Sequence, residues 1–564
     1  MSNRIISLVL LSGIAAIATV SCSSGGPAPA SLVLRNAKVA TVDEAFTLAE
    51  AIAVRADTIV AVGSNDAIEP FIGPETEVID CGGKLVVPGL IDAHAHLGGY
   101  GMSLLEVDLR GVDTFAEVVR LVKERAATLR PGEWVLGNNW DQNLWDDVDD
   151  FPYHDTLSAA VPDVPVWLTR VDGHAGIANT KAMEMAGVSR AAADPSGGEI
   201  LRKPNGDPTG VFVDRAMGLI GRHVPNPTEE QARQAIVMAA DNCLAVGITG
   251  IHDAGTSPRQ IERYKSLIDS GELGIRIYAM LGNPGYDNQT AYENYLSDNM
   301  FDSYAGHRLS VKSIKLFMDG ALGSRGAAMF EDYSDRPGYT GLLTLSGEDA
   351  LMVSRAALAA DAQVCTHAIG DKGNRLILDA YEQALAEHPT PDHRFRVEHA
   401  QVVALLDIPR FHALDILPSM QPTHATSDMY WAEARVGPER VKGAYAWNRF
   451  LDEGCIIPCG SDFPVEKIDP MLGFYAAITR MNTEGWPEGG WYPDQCMTRE
   501  EVLRGFTIWA AYAAFQEDIL GSIEPGKLAD IVVLSKDVLT VSPADIFTTS
   551  PEYTIVAGKI AYRR

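Results

Sequence analysis

Two histidines one residue apart, His94 and His96 in the stretch VVPGLIDAHAHLGG (86–99), stand behind an apolar run. Side chains two apart on a strand point the same way, so such a pair can share one cation. Thirteen histidines in 564 residues supply roughly 0.3 such pairs by chance, and the rest of the chain has to decide whether these two are ligands. Four more segments end an apolar run in a residue able to bind a metal: Lys315 in VKSIKLFMDGALGSR, His367 in AQVCTHAIGD, His399 in FRVEHAQ and Asp462 in CIIPCGSDFP. Imidazoles and a carboxylate gathered at strand ends suit a divalent cation and the activation of water.

These residues need strands to carry them to one place. Apolar strand-like runs alternate with amphipathic helical stretches, the rhythm of a parallel sheet. Ten runs qualify: 85–89, 134–138, 165–169, 248–252, 275–280, 312–317, 363–367, 395–399, 416–420 and 456–460. A (β/α)8 barrel needs eight. Omitting 134–138 and 165–169 leaves eight and turns residues 100–235, rich in Trp, Asp and Gly, into a substrate-covering insertion after strand one. The fold expected is therefore α/β, a TIM barrel over 86–519. Short strands at 32–85 and 520–564 would form one small β-sandwich-like domain built from both termini, since neither end has the apolar residues to fold alone.

Composition narrows the partners. A chain of this length with 46% hydrophobic and 21% charged residues is globular. Its formal charge of −29, without a basic block, repels a phosphate backbone, so nucleic acid is excluded as a partner. Residues 1–22 join Arg4, an apolar run over 5–20 and small residues beside Cys22, the pattern of an export signal and too short for a comfortable membrane span. The stretch resembles a bacterial lipoprotein signal. That resemblance implies lipid on Cys22, a tether over 23–31, membrane contact through that anchor only, and a periplasmic or outer-membrane location. The other six cysteines are scattered and form no disulfide framework, though a single disulfide stays open.

Taken together, GLIDAHAHL, KLFMDGALGSR, THAIGDKGN, RVEHAQ, GSDFPV and GSIEPGKLADIVVL resemble the amidohydrolase superfamily, and within it the amidohydrolase family 3 branch that includes N-substituted formamide deformylases. The resemblance runs from about residue 32 to the C-terminus. It implies metal ligands His94 and His96 from strand one, a carboxylated Lys315 from strand four, His367 from five, His399 from six and Asp462 from eight. A carbamate on Lys315 would bridge two cations, Zn²⁺ before Mn²⁺, Fe²⁺ or Co²⁺, with a hydroxide held between them. Asp462 would act as general base and then as general acid. The expected reaction is hydrolysis of an amide-type C–N bond in a small molecule: an N-acyl, N-formyl or cyclic amide. His174 and Trp140 resemble pocket-lining positions of the branch, with Asp319 and Arg325 supporting the substrate side. His252, His424 and His154 read as satisfied polar side chains. Two alternatives stay open: a mononuclear deaminase on the same barrel, which needs no bridging lysine, and a non-catalytic lipid-anchored binding protein. A homodimer is compatible with either.

Overall fold

The computed structural model describes residues 27–564 apart from Pro131, Asn143, Leu144, Asp149, Asp150, Asp172, His174, Ser196 and Gly197. The export signal, Cys22, the first residues of the tether and His174 thus lie outside the described residues. Among the described residues no helix is long and apolar enough to cross a membrane.

Seven strands pair in parallel in the order of the chain: β1 (Leu90–Ala95), β2 (Ile248–Thr256), β3 (Arg276–Gly282), β4 (Leu309–Phe317), β5 (Gln363–Ala368), β6 (Arg396–His399) and β7 (Leu417–Ser419). Their residues are almost all buried, as expected for parallel strands covered on both faces. Helices cover the outside, among them α1 (Glu229–Ala245), α2 (Pro258–Asp269), α3 (Gly347–Ala359) and α4 (Asp371–Glu387). α1 starts on a capping box in which Thr228 and Gln231 satisfy each other's backbone N–H groups.

The eighth position departs from the expected strand at 456–460, because this segment forms no regular ladder. It still closes the ring: Met420 N donates to Pro458 O and Gly460 N to Met420 O, both at 3.0 Å, while Ala93 N donates to Cys459 O at 3.0 Å and Asp462 N to His94 O at 2.8 Å. Pro458 has no N–H to give a ladder. Gly460 lets the segment come close, since a Cβ there would lie 2.6 Å from His94 N and 2.7 Å from Asp92 Oδ1.

Between β1 and β2 a separate six-stranded mixed sheet forms, in the order Gly198–Arg202, Pro208–Asp214, Ala175–Ala178, Val166–Arg170, Val135–Trp140, Val107–Asp108. It has an apolar core of its own that includes Phe115, Val118, Trp140, Leu168 and Ile177. At the far end, Leu85–Pro88 pairs with Lys38–Ala40 on one side and with Ile531–Leu534 on the other, so one sheet holds strands from both ends of the chain. A four-stranded sheet from residues 32–80 shares its core, with Leu34, Ile52 and Val86 packed among Ile531, Val533 and Ile555.

Candidate metal centre

The ends of β1, β4, β5, β6 and the eighth segment bring His94, His96, Lys315, His367, His399 and Asp462 together. In register, Phe317 lies opposite His367 and Ala368 opposite His399, so the candidate positions step around the rim. The orientation of three rings follows from what their Nδ1 atoms touch. His94 Nδ1 hydrogen-bonds Glu398, His96 Nδ1 meets the Ala254 carbonyl at 3.0 Å, and His399 Nδ1 meets Gln421 Oε1 at 2.7 Å. These oxygens can only accept, so Nδ1 carries the hydrogen and the Nε2 lone pair is left for the centre. His94 Nε2 lies 3.3 Å from Lys315 Nζ and 3.6 Å from Asp462 Oδ1, and His96 Nε2 lies 3.2 Å from the same oxygen. The His399 ring sits 4.9 Å from that of His94 and 4.6 Å from that of His367. One ligand atom each from His94, His399 and Asp462 falls within 4.8 Å of the others.

The donor set fits a cation. Asp462 Oδ1 and His367 Nε2 are buried without a hydrogen-bond partner among the described residues, a condition seldom met unless something else satisfies the group. Burial pushes His94 down to about 4, helped by the Lys315 charge, and His367 down to about 3. Burial holds His399 well below its usual value too, so these three imidazoles are neutral, the form that binds metal, at ordinary pH. At His96 burial works the same way, but the Asp462 carboxylate outweighs it and raises the ring. Burial also lowers the Lys315 amine to about 8. For Asp462 burial works upward, but its contacts with His96, His94 and His399 outweigh it and hold the carboxyl well below its usual range. Two of the six adopt left-handed backbone, His399 at φ 72° and Asp462 at φ 63°, the kind of local strain that clusters at functional sites.

A second layer of residues escaped the sequence reading. Arg396 and Glu398 are fully buried on β6 and pair at 2.7 Å. The guanidinium also donates to Ala93 O at 2.6 Å and Ser419 Oγ at 2.8 Å, and lies 2.8 Å from His252 Nδ1, so His252 is indeed satisfied. Asp92 accepts from His94 N at 3.1 Å and from Ser461 Oγ at 2.6 Å, tying the two ends of the ring. Glu398 was in view, one residue before His399, but strand alternation alone says only that neighbours face opposite ways. His424 differs from its expected role. It follows β7 on α5 (Pro422–Asp428), and its Nε2 is buried with no hydrogen-bond partner among the described residues, 3.7 Å from Asp462 Oδ2.

The expected substrate contacts fare differently. Trp140 is buried in the core of the inserted sheet, stacked on Trp145 at 5.6 Å, with Nε1 donating to Leu168 O at 2.9 Å. A register shift between Gly137 and Trp140 interrupts the pairing of this strand with Val166–Arg170 just before it. Asp319 accepts the N–H groups of Ala328, Ile369 and Gly370 at 2.8–2.9 Å and so pins the loop after β4 to the end of β5, with Oδ1 3.6 Å from His367 Nε2. Arg325 pairs with Asp335 through two bonds of 3.0 and 2.7 Å within that loop.

A parallel barrel whose strand ends gather imidazoles, a buried lysine and an ionised acid defines a metal-dependent hydrolase of the barrel type. Residues 77–562 match the amidohydrolase family, and the chain belongs to it. It is 35% identical over 541 residues to protein LONG AFTER FAR-RED 3 of Arabidopsis thaliana, covering 94% of this chain and 92% of that one. To the N-substituted formamide deformylase of Arthrobacter pascens it is 27% identical over 544 residues, covering 94% and 98%. An uncharacterised metal-dependent hydrolase from Pyrococcus horikoshii has a similar structure, with a TM-score of 0.74 at 26% identity, covering 91% of this chain and 99% of that one.

Proposed function

We propose that this protein hydrolyses an amide-type C–N bond in a small molecule, of the N-acyl, N-formyl or cyclic amide class. His94, His96, His367, His399, Asp462 and a carboxylated Lys315 would hold two divalent cations, zinc foremost. The observation that carries the reading is the convergence of six groups from five separate rim segments on one spot where Asp462 Oδ1 and His367 Nε2 are buried with no hydrogen-bond partner among the described residues. Similarity to a formamide deformylase supports the choice of bond. The leader sequence supports an exported, lipid-anchored location.

Bound there, divalent cations supply Lewis acidity and bring the pKa of water from about 15.7 to near 7. Lys315 is buried with its amine lowered to about 8, so a neutral, nucleophilic amine is within reach for carbon dioxide, with one proton lost as the carbamate forms. Asp462, ionised and facing His96, takes the proton of the attacking water and passes it to the departing nitrogen. The C–O bond forms, the C–N bond breaks with its electron pair on nitrogen, and the acid and amine leave.

Chelation should abolish turnover of N-formyl and N-acyl compounds, and added Zn²⁺ or Mn²⁺ should restore it, with elemental analysis giving two metals per chain. Asp462→Asn should keep much of the metal while kcat falls by about 10²–10⁴. Turnover indifferent to chelators, or a metal-replete Asn variant with normal kcat, would sink the reading.

A further inference from the structure

The tip of β7 contributes none of the proposed metal ligands, yet α5, entered directly from β7, delivers His424 to the same centre. Its ring lies nearly parallel to that of His399, at 5.8 Å and 24°. Asp462 has two sides here: His94 and His96 face Oδ1, while His424 faces Oδ2 from 3.7 Å. That distance is too long for a hydrogen bond, and His424 Nε2 is buried with no partner at all among the described residues. A buried ring nitrogen left unpaired is costly, so its presence points to a partner that arrives from outside the chain. Asp428, one helical turn further along α5 and on the same face, accepts from Tyr445 Oη at 2.5 Å and Gln401 Nε2 at 3.1 Å, which anchors the helix that carries His424.

We propose that His424 is a further catalytic residue, whose Nε2–H donates a hydrogen bond to the carbonyl oxygen of the amide substrate. The inference rests on the hydrolase reading above. As water attacks, the new C–O bond pushes the carbonyl π electrons onto oxygen, and His424 stabilises that charge without giving up its proton. When the C–N bond then breaks, the pair returns to re-form the carbonyl, and the nitrogen takes its proton from Asp462. Asp462 manages protons on one side of the reacting carbon while His424 holds the oxygen on the other. A donor preset for the developing charge is the arrangement that favours the transition state over the bound substrate.

The test compares wild type with His424→Ala, His424→Leu and His424→Gln in metal-replete full-length protein. The Ala and Leu variants should keep wild-type metal content, with kcat lowered about 10²–10³-fold and KM little changed. Gln places an amide N–H near the same point and should recover about tenfold over Ala. Leu, of similar bulk to His, carries the comparison should the Ala chain fail to fold. Metal lost in step with activity would make His424 a ligand and overturn the proposal, as would kcat near the wild-type value. A wild type that turns over no amide would count against the hydrolase reading instead. In that case calorimetric binding of methylphosphonate, a tetrahedral oxyanion, decides: about tenfold weaker binding in the Ala or Leu variant supports the donor role, and equal binding overturns it.

Discussion

Glu398 sets the direction in which His94 presents its free nitrogen, because a carboxylate on Nδ1 leaves only Nε2 for the centre. It is itself held by Arg396, so the pair is a buried ion pair with one arm on a proposed ligand. Replacing Glu398 with Gln removes the charge and loosens the ring. Metal affinity should fall about 10–100-fold, measured by competition with a calibrated chelator. The melting temperature of the metal-free variant separates this from general damage. Unchanged affinity would show that His94 is oriented by the barrel alone. That histidines and an aspartate meet at one rim was legible from the chain because each ends an apolar run, and parallel strands bring such ends to one side. Their orienting partners were not, since Gln421 and Glu398 meet His399 and His94 only after β6 and β7 curve beside β1.

At the level of elements, α5 shows how one short helix couples a site to its support. His424 and Asp428 share its face, and Asp428 is enclosed between Tyr445 and Gln401. Burial, with Glu466 adding, raises the Asp428 carboxyl to about 7, against the pull of His424 and its hydrogen bonds. The folded state therefore keeps a proton that the unfolded chain gives up near pH 4, and stability should fall as pH rises from about 4 to 7, then level off. Asp428→Asn removes this contribution. Its melting temperature should gain on wild type between pH 5 and pH 8, in matched thermal scans; a constant difference would mean Asp428 does not titrate there. Alternation of apolar runs was enough to find β1 to β7, because parallel strands buried on both faces leave continuous apolar sequence. The eighth segment shared that composition, yet Pro458 and Gly460 made it an irregular seam.

Across the whole molecule, the barrel and the terminal sheets are joined by charge as well as by apolar packing. Arg276 on β3 meets Asp530 through bonds of 2.7 and 3.0 Å, both side chains nearly fully buried, and Asp530 also accepts from Ala557 N at 2.8 Å. Removing one partner leaves an uncompensated buried charge, which costs about 3–5 kcal/mol. Asp530→Ala should therefore lower the apparent melting temperature in calorimetry, with the metal content of the folded protein retained. A melting profile equal to wild type would show that the joint is carried by the apolar core formed by Val86, Ile531 and Ile555 alone.

What the amino-acid order determined by itself was chemical and local: which residues can ligate and which runs must be buried. Those follow from side-chain type and from a period of two along a strand. Tertiary structure decided the rest, because neighbours across a closed ring come from segments hundreds of residues apart. It turned Trp140 into core, gave Asp319 three backbone bonds to hold, and left Nε2 of His424 facing the far oxygen of Asp462 with no hydrogen-bond partner among the described residues.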